Sequence, residues 1–84
     1  MSIEETIKRY IAENMLFSDD GYAYPDDASF MEEGVLDSLG VLELALFVEE
    51  TYGFRPVQQE MTPQNFDSVV NLAAYIRRNT LVPV

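Results

Sequence analysis

Ser38 is the residue of this sequence best placed to do chemistry. It follows Asp37 directly and opens the most apolar stretch of the chain, Ser-Leu-Gly-Val-Leu-Glu-Leu-Ala-Leu-Phe-Val. A serine at a helix start usually caps the helix with its hydroxyl. Here Asp37 can supply that cap, and its charge suits the positive end of the helix dipole. That leaves the Ser38 hydroxyl free. The chain has no histidine and no cysteine, so no ordinary base or Ser-His pair is present to activate it. A free serine without its own activator points to a residue that another protein modifies.

Other constellations fail on spacing. Paired carboxylates suggest glycoside hydrolysis, but that reaction needs two carboxyls facing each other across a cleft, which so short a helical chain hardly provides. The acids from Asp19 to Asp27 lack the Asp-x-Asp-x-Asp-Gly order and the late Glu of a calcium loop. Without Cys or His there is no usual zinc set, and no glycine-rich phosphate loop is present. Asp67-Ser68-Val69 repeats Asp37-Ser38-Leu39 superficially, but it opens the last helix and reads as a structural cap.

The elements that must hold Ser38 are legible. The chain has 84 residues, suited to one domain over 1–84. Ser2 and Glu5 make a capping box for a first helix over about 3–16, with Ile3, Ile7, Tyr10, Ile11 and Met15 on its apolar face. A long loop over about 17–37 follows, punctuated by Gly21, Pro25 and Gly34. Its apolar residues, Phe30 and Leu36 above all, should pin it to the core. The second helix spans about 38–51 and stops at Gly53. Its apolar residues cover more than one stripe, so one face packs inside and part of the rest faces a partner. Residues 55–61 read as a connection. Thr62 and Pro63 start a short helix over about 62–66, and a last helix runs over about 68–78. The fold class is all-α, a small four-helix bundle of three main helices and one short one.

Charge is segregated. The chain holds 5 basic and 15 acidic residues, a net charge of −10. No base stands between Arg9 and Arg55, whereas that interval holds eleven acids. A pI near 4.1 argues against nucleic acid and anionic membrane surfaces. No apolar run reaches the ~20 residues of a membrane span, and the start of the chain does not read as a signal peptide. The expectation is a cytoplasmic monomer that meets a basic protein partner.

Glu33-Gly34-Val35-Leu36-Asp37-Ser38-Leu39, followed by Leu42-Glu43-Leu44, resembles the attachment motif of acyl and peptidyl carrier proteins. Phe47 to Phe54 is similar to that family's second helix end, and Thr62 to Val69 to its short third helix leading into the last. The resemblance covers nearly the whole chain. It implies an acyl-carrier-protein-like fold and no enzyme activity. It implies that Ser38 carries a 4′-phosphopantetheine arm transferred from coenzyme A, flanked by Asp37 and Leu39. An acyl or aminoacyl cargo would ride on the arm as a thioester. The implied partners are a phosphopantetheinyl transferase, a cargo-loading ligase or synthase, and downstream transferases with basic docking patches. Glu43, Glu49 and Glu50, with Val41 and Leu42, would be the partner-binding residues. Gly40 stands where fatty-acid carriers usually have an acid, and Phe47 is bulkier than the family's common small residue. Both departures, with the long first loop, fit stand-alone carriers of specialised pathways. An acyl chain, if sequestered, would lie among Leu42, Leu46, Val48 and Ile76. The reading from charge and helix pattern alone leaves an alternative: an acidic helical adaptor with no covalent cargo.

Overall fold

The computed structural model describes residues 2–80. Helix α1 spans Ile3–Asn14, α2 Ser38–Tyr52, α3 Pro63–Phe66 and α4 Val69–Asn79, with a 3-10 turn at Gln58–Glu60. The described residues form helices and no strand, an all-α bundle. That turn lies inside the segment read from sequence as a plain connection.

Each helix start has a local cause. The Ser2 hydroxyl oxygen accepts from the Glu5 N–H at 3.1 Å. The Glu5 carboxylate accepts from the Ser2 hydroxyl and not from its backbone, so only half of the expected capping box forms. Thr62 precedes α3 without a side-chain cap bond. Ser68 caps α4, accepting from the Asn71 N–H at 3.0 Å. The expected decoy serine is therefore a buried structural cap, 4% exposed.

The α1 end departs from the expected position near residue 16. Leu16 N–H donates to the Ile11 carbonyl at 3.0 Å and Ser18 N–H to the Ala12 carbonyl at 2.9 Å. This wide closing turn places Phe17 in the left-handed region, φ 52°. A period of apolar residues does not report such a reversal.

The core joins one face of each helix. Ile3, Ile7 and Ile11 of α1 meet Leu44 and Val48 of α2, Phe66 of α3, and Val69, Leu72 and Ile76 of α4. Each such side chain contributes about 1.5–3 kcal/mol when fully buried. Arg77 closes the bundle by a two-pronged pair with the Glu4 carboxylate at 2.7 and 2.8 Å. That guanidinium holds the Glu4 carboxyl below its ordinary range. The pair therefore helps above that range and is lost as pH falls through the lowered pKa. Being at the surface, it contributes little.

The loop over 17–37 is fastened at its middle. Phe30 is fully buried and its N–H donates to the Asp67 carbonyl at 2.8 Å. The Asp67 carboxylate accepts from the Met31 N–H at 3.1 Å and from the Ser29 hydroxyl. The Val70 N–H donates to the Asp26 carbonyl at 3.0 Å, and Lys8 pairs with the Asp26 carboxylate at 3.0 Å. Val35 and Leu36 are buried as well, whereas the Met31 side chain is half-exposed and the loop holds there through its backbone.

Tyrosine burial makes the fold sensitive to alkali. Burial, then the charge of Asp26, pushes Tyr22 up to about 12. Burial, then the hydrogen bond from its hydroxyl to Glu60 at 2.7 Å, pushes Tyr75 up to about 12. Both pKa values are raised above the ordinary 10, so this stability is intact below pH 10 and lost as pH climbs toward 12. Tyrosinate absorbance and helical circular dichroism should change together in that window. Tyrosinate forming well below it, with the helices intact, would contradict the burial.

Candidate attachment site and docking face

The site is built on the first turn of α2. The Asp37 carboxylate accepts from the Gly40 N–H at 2.9 Å and closes the helix start, as the sequence suggests. Ser38 is exposed, and its hydroxyl has no hydrogen-bond partner among the described residues. The backbone amides of Ser38 and Leu39 point out of the open first turn without an intrahelical acceptor. Such a terminus favours an anionic group esterified to the hydroxyl.

Ser38 borders an open cleft of about 400 Å³ between α2, the fastened loop and α3. Met31, Val41, Leu42, Met61 and Phe66 give it an apolar lining, and Asp67 stands at its edge. One carboxylate thus holds the loop and shapes the cleft beside Ser38.

Gly40 is buried against that loop. A Cβ there would meet Leu36 Cβ and Cδ2, both at 3.1 Å. The missing acid at position 40 therefore has a steric reason: it lets the strand of loop carrying Leu36 and Asp37 lie on α2. Gly→Ala in a helix ordinarily gains about 1 kcal/mol. In Gly40→Ala this gain should vanish, because Leu36 Cβ moves only with its backbone. The expected melting temperature is at or below the parent's, with amide shifts over 36–39; a clear rise would show that Leu36 gives way freely.

α2 is apolar on two opposite faces. Leu44, Phe47 and Val48 are buried, whereas Leu39, Leu42 and Leu46 are 68%, 51% and 58% exposed. At 3.6 residues per turn the exposed three form one stripe that starts beside Ser38. Glu43 and Glu50 flank it on one side, where their charges and burial keep the Tyr10 hydroxyl above its ordinary range, burial being the larger cause. Glu49 lies on the other flank and pairs with Arg55 at 3.0 Å. The three glutamates therefore do not make one cluster. Val41 is half-buried and faces the cleft, apart from the stripe.

One expectation is corrected. Leu42, Leu46, Val48 and Ile76 do not line a common interior space. Leu42 and Leu46 are at the surface, and Val48 and Ile76 are fully buried on the opposite side of α2. Phe47 fills the neighbouring interior, stacked on Tyr10 with ring centroids 4.3 Å apart. Sequence reasoning also missed Asp67 as the loop fastener and Phe17 as an exposed residue. The first had only a helix-start signal, and the second none beyond an aromatic at a helix end.

A small acidic helical bundle that presents an exposed serine at a helix start has the form of a protein that is handled by others. The comparisons agree. The chain is 38% identical over 76 residues to the acyl carrier protein of Onion yellows phytoplasma (strain OY-M), covering 90% of this chain and 95% of that protein. It is 35% identical over 52 residues to the D-alanyl carrier protein of Abiotrophia defectiva, covering 62% of this chain and 66% of that protein. A chain in the solved structure described as "Crystal structure of FAD-dependent dehydrogenase" matches with a TM-score of 0.68 and 30% identity, over 82% of this chain and 96% of that one. No protein-family model matches. The chain belongs to the acyl carrier protein family. Its role is that of a carrier, not of an enzyme.

Proposed function

We propose that this chain holds an acyl or aminoacyl cargo as a thioester on a 4′-phosphopantetheine arm attached to Ser38, and delivers it to partner enzymes. The observation that carries this reading is the exposed Ser38 hydroxyl, left without a structural duty because Asp37 caps α2. In the attachment step Ser38 Oγ bonds to the phosphorus of the pantetheine phosphate in coenzyme A, and 3′,5′-adenosine bisphosphate leaves. In this reading the hydroxyl proton passes to a base on the transferase, because the chain has no histidine and the adjacent Asp37 carboxylate is engaged in capping α2. When attached, the arm supplies a terminal thiol that bears the cargo. This chain's own part is to present Ser38, to hold the first turn of α2 rigid, and to offer the apolar cleft along which an arm can lie. With no cysteine, the chain adds no competing thiol.

The partners would be a phosphopantetheinyl transferase, a cargo-loading ligase or synthase, and downstream enzymes. Leu39, Leu42, Glu43 and Glu50 would meet their apolar and basic docking patches, steering encounter more than holding it. Glu49 would contribute less, since Arg55 already offsets its charge. The D-alanyl relative favours an aminoacyl cargo, and the dehydrogenase structure suggests a flavin enzyme among the clients. The cargo would stay outside the core, because the side chains once expected to enclose it are separated by α2 itself. No helix among the described residues is long and apolar enough to cross a membrane. We place the protein in the cytoplasm as a monomer.

Intact-mass measurement tests the reading. The chain is incubated with coenzyme A, magnesium and a broad-specificity phosphopantetheinyl transferase. A gain of one phosphopantetheine is expected. A folded chain that gains nothing, beside a control carrier modified in the same tube, would contradict it.

A further inference from the structure

Phe17 carries two costs at once. It is 81% exposed, and its backbone is left-handed at φ 52°. A bulky aromatic in that conformation is an outlier, which glycine would relieve. The strain is imposed by the α1 closing turn, through the Leu16-to-Ile11 and Ser18-to-Ala12 hydrogen bonds. It does not bury the ring. Backbone strain of this kind is a pointer to function when the surroundings enforce it.

Its position says what the ring is for. Phe17 borders a surface hollow with Val35, Leu36 and Leu39, on the flank of the first α2 turn away from the Ser38 cleft. Asp37 and Glu43 also border the hollow, and no cation does. An exposed ring beside an apolar floor and two carboxylates fits an apolar pocket with a basic rim. Ser38 lines the cleft, and its two chain neighbours, Asp37 and Leu39, line the hollow. An enzyme that forms a bond at Ser38 Oγ must cover that first turn. An enzyme that acts at the far end of an arm need not.

We propose that Phe17 is a docking anchor for the phosphopantetheinyl transferase, inserted into an apolar pocket rimmed by Lys or Arg that pair with Asp37 and Glu43. The proposal rests on the carrier reading and extends it to a surface outside α2.

The test compares the parent with Phe17→Gly and Phe17→Tyr, using a broad-specificity phosphopantetheinyl transferase and coenzyme A. Phe17→Gly removes the ring and relieves the left-handed strain, so its melting temperature should equal or exceed the parent's. Its kcat/KM for arm transfer should fall at least about tenfold, as for loss of an aromatic interface anchor. Phe17→Tyr should retain most of the parent's rate. Glu43→Gln should flatten the salt dependence, whereas Phe17→Gly should leave its slope intact. Transfer to Phe17→Gly at the parent's rate overturns the proposal alone. A slower rate accompanied by a lower melting temperature also overturns it, since Phe17 would then be structural. A folded parent that accepts no arm defeats the carrier reading, and this one with it.

Discussion

Ser38→Ala should abolish arm attachment completely while leaving the fold untouched. The Ser38 hydroxyl is exposed and bonded to none of the described residues, and Asp37 alone caps α2 through Gly40. Removing the hydroxyl therefore costs no buried contact and no cap. The melting temperature should stay within a degree or two of the parent's, the small change expected of an ordinary surface substitution. Ser68→Ala should do the opposite. Ser68 is buried and accepts from Asn71, so its loss costs about 0.5–2 kcal/mol of stability. The arm should still attach to it, because the Asp67-Ser68 pair opens no accessible hydroxyl. Intact mass and thermal melting on the two variants check both halves. An arm on Ser38→Ala, or none on a folded Ser68→Ala, would reverse the assignment of the two serines.

Phe30→Ala should cost about 3–5 kcal/mol, the usual loss when a buried phenylalanine leaves a cavity. That is a large part of the stability of about 5–15 kcal/mol that small domains possess. Phe30 is fully buried in the core, its ring perpendicular to that of Tyr22 with centroids 6.3 Å apart. Its backbone amide is bonded to the Asp67 carbonyl, so losing the ring frees the middle of the long loop. The cleft beside Ser38 loses its Met31 wall in the same event. Asp67→Asn should cost less, because Asn keeps the backbone contact and one side-chain acceptor. Urea unfolding separates the two variants by their midpoints. A Phe30→Ala protein within 1 kcal/mol of the parent (a figure below any usual Phe→Ala cost) would show that the loop is not fastened through that ring.

What the sequence made legible is tied to local rules. Helix starts announce themselves through the caps Ser2, Asp37 and Ser68, which satisfy amides within three residues, and through Pro63, whose fixed φ suits the first helical position. The buried faces of α1 and α4 follow from apolar spacing. Ser38 stood out because one cap too many was present at a single helix start. The misses are long-range or geometric. Asp67 fastens a loop that lies 36 and 38 residues earlier in the chain, and nothing local marks that pairing. The closing turn of α1 depends on which carbonyls Leu16 and Ser18 find, so Phe17 emerged only with the backbone. In sequence Gly40 reads as a lost charge, and only the packing of Leu36 against it supplies the steric reason. The interior cargo site failed because an all-round apolar helix does not declare which leucines face inward. Leu42 and Leu46 face out.

The most direct test of the central claim uses the protein purified from the cells that make it, without any added transferase. Proteolysis and peptide mass mapping would locate what is bound to each serine. The account predicts a phosphopantetheine on the peptide containing Ser38 and on no other, with cargo that hydroxylamine releases as expected of a thioester. An unmodified Ser38 throughout the cellular pool, or an arm on another serine, would contradict it.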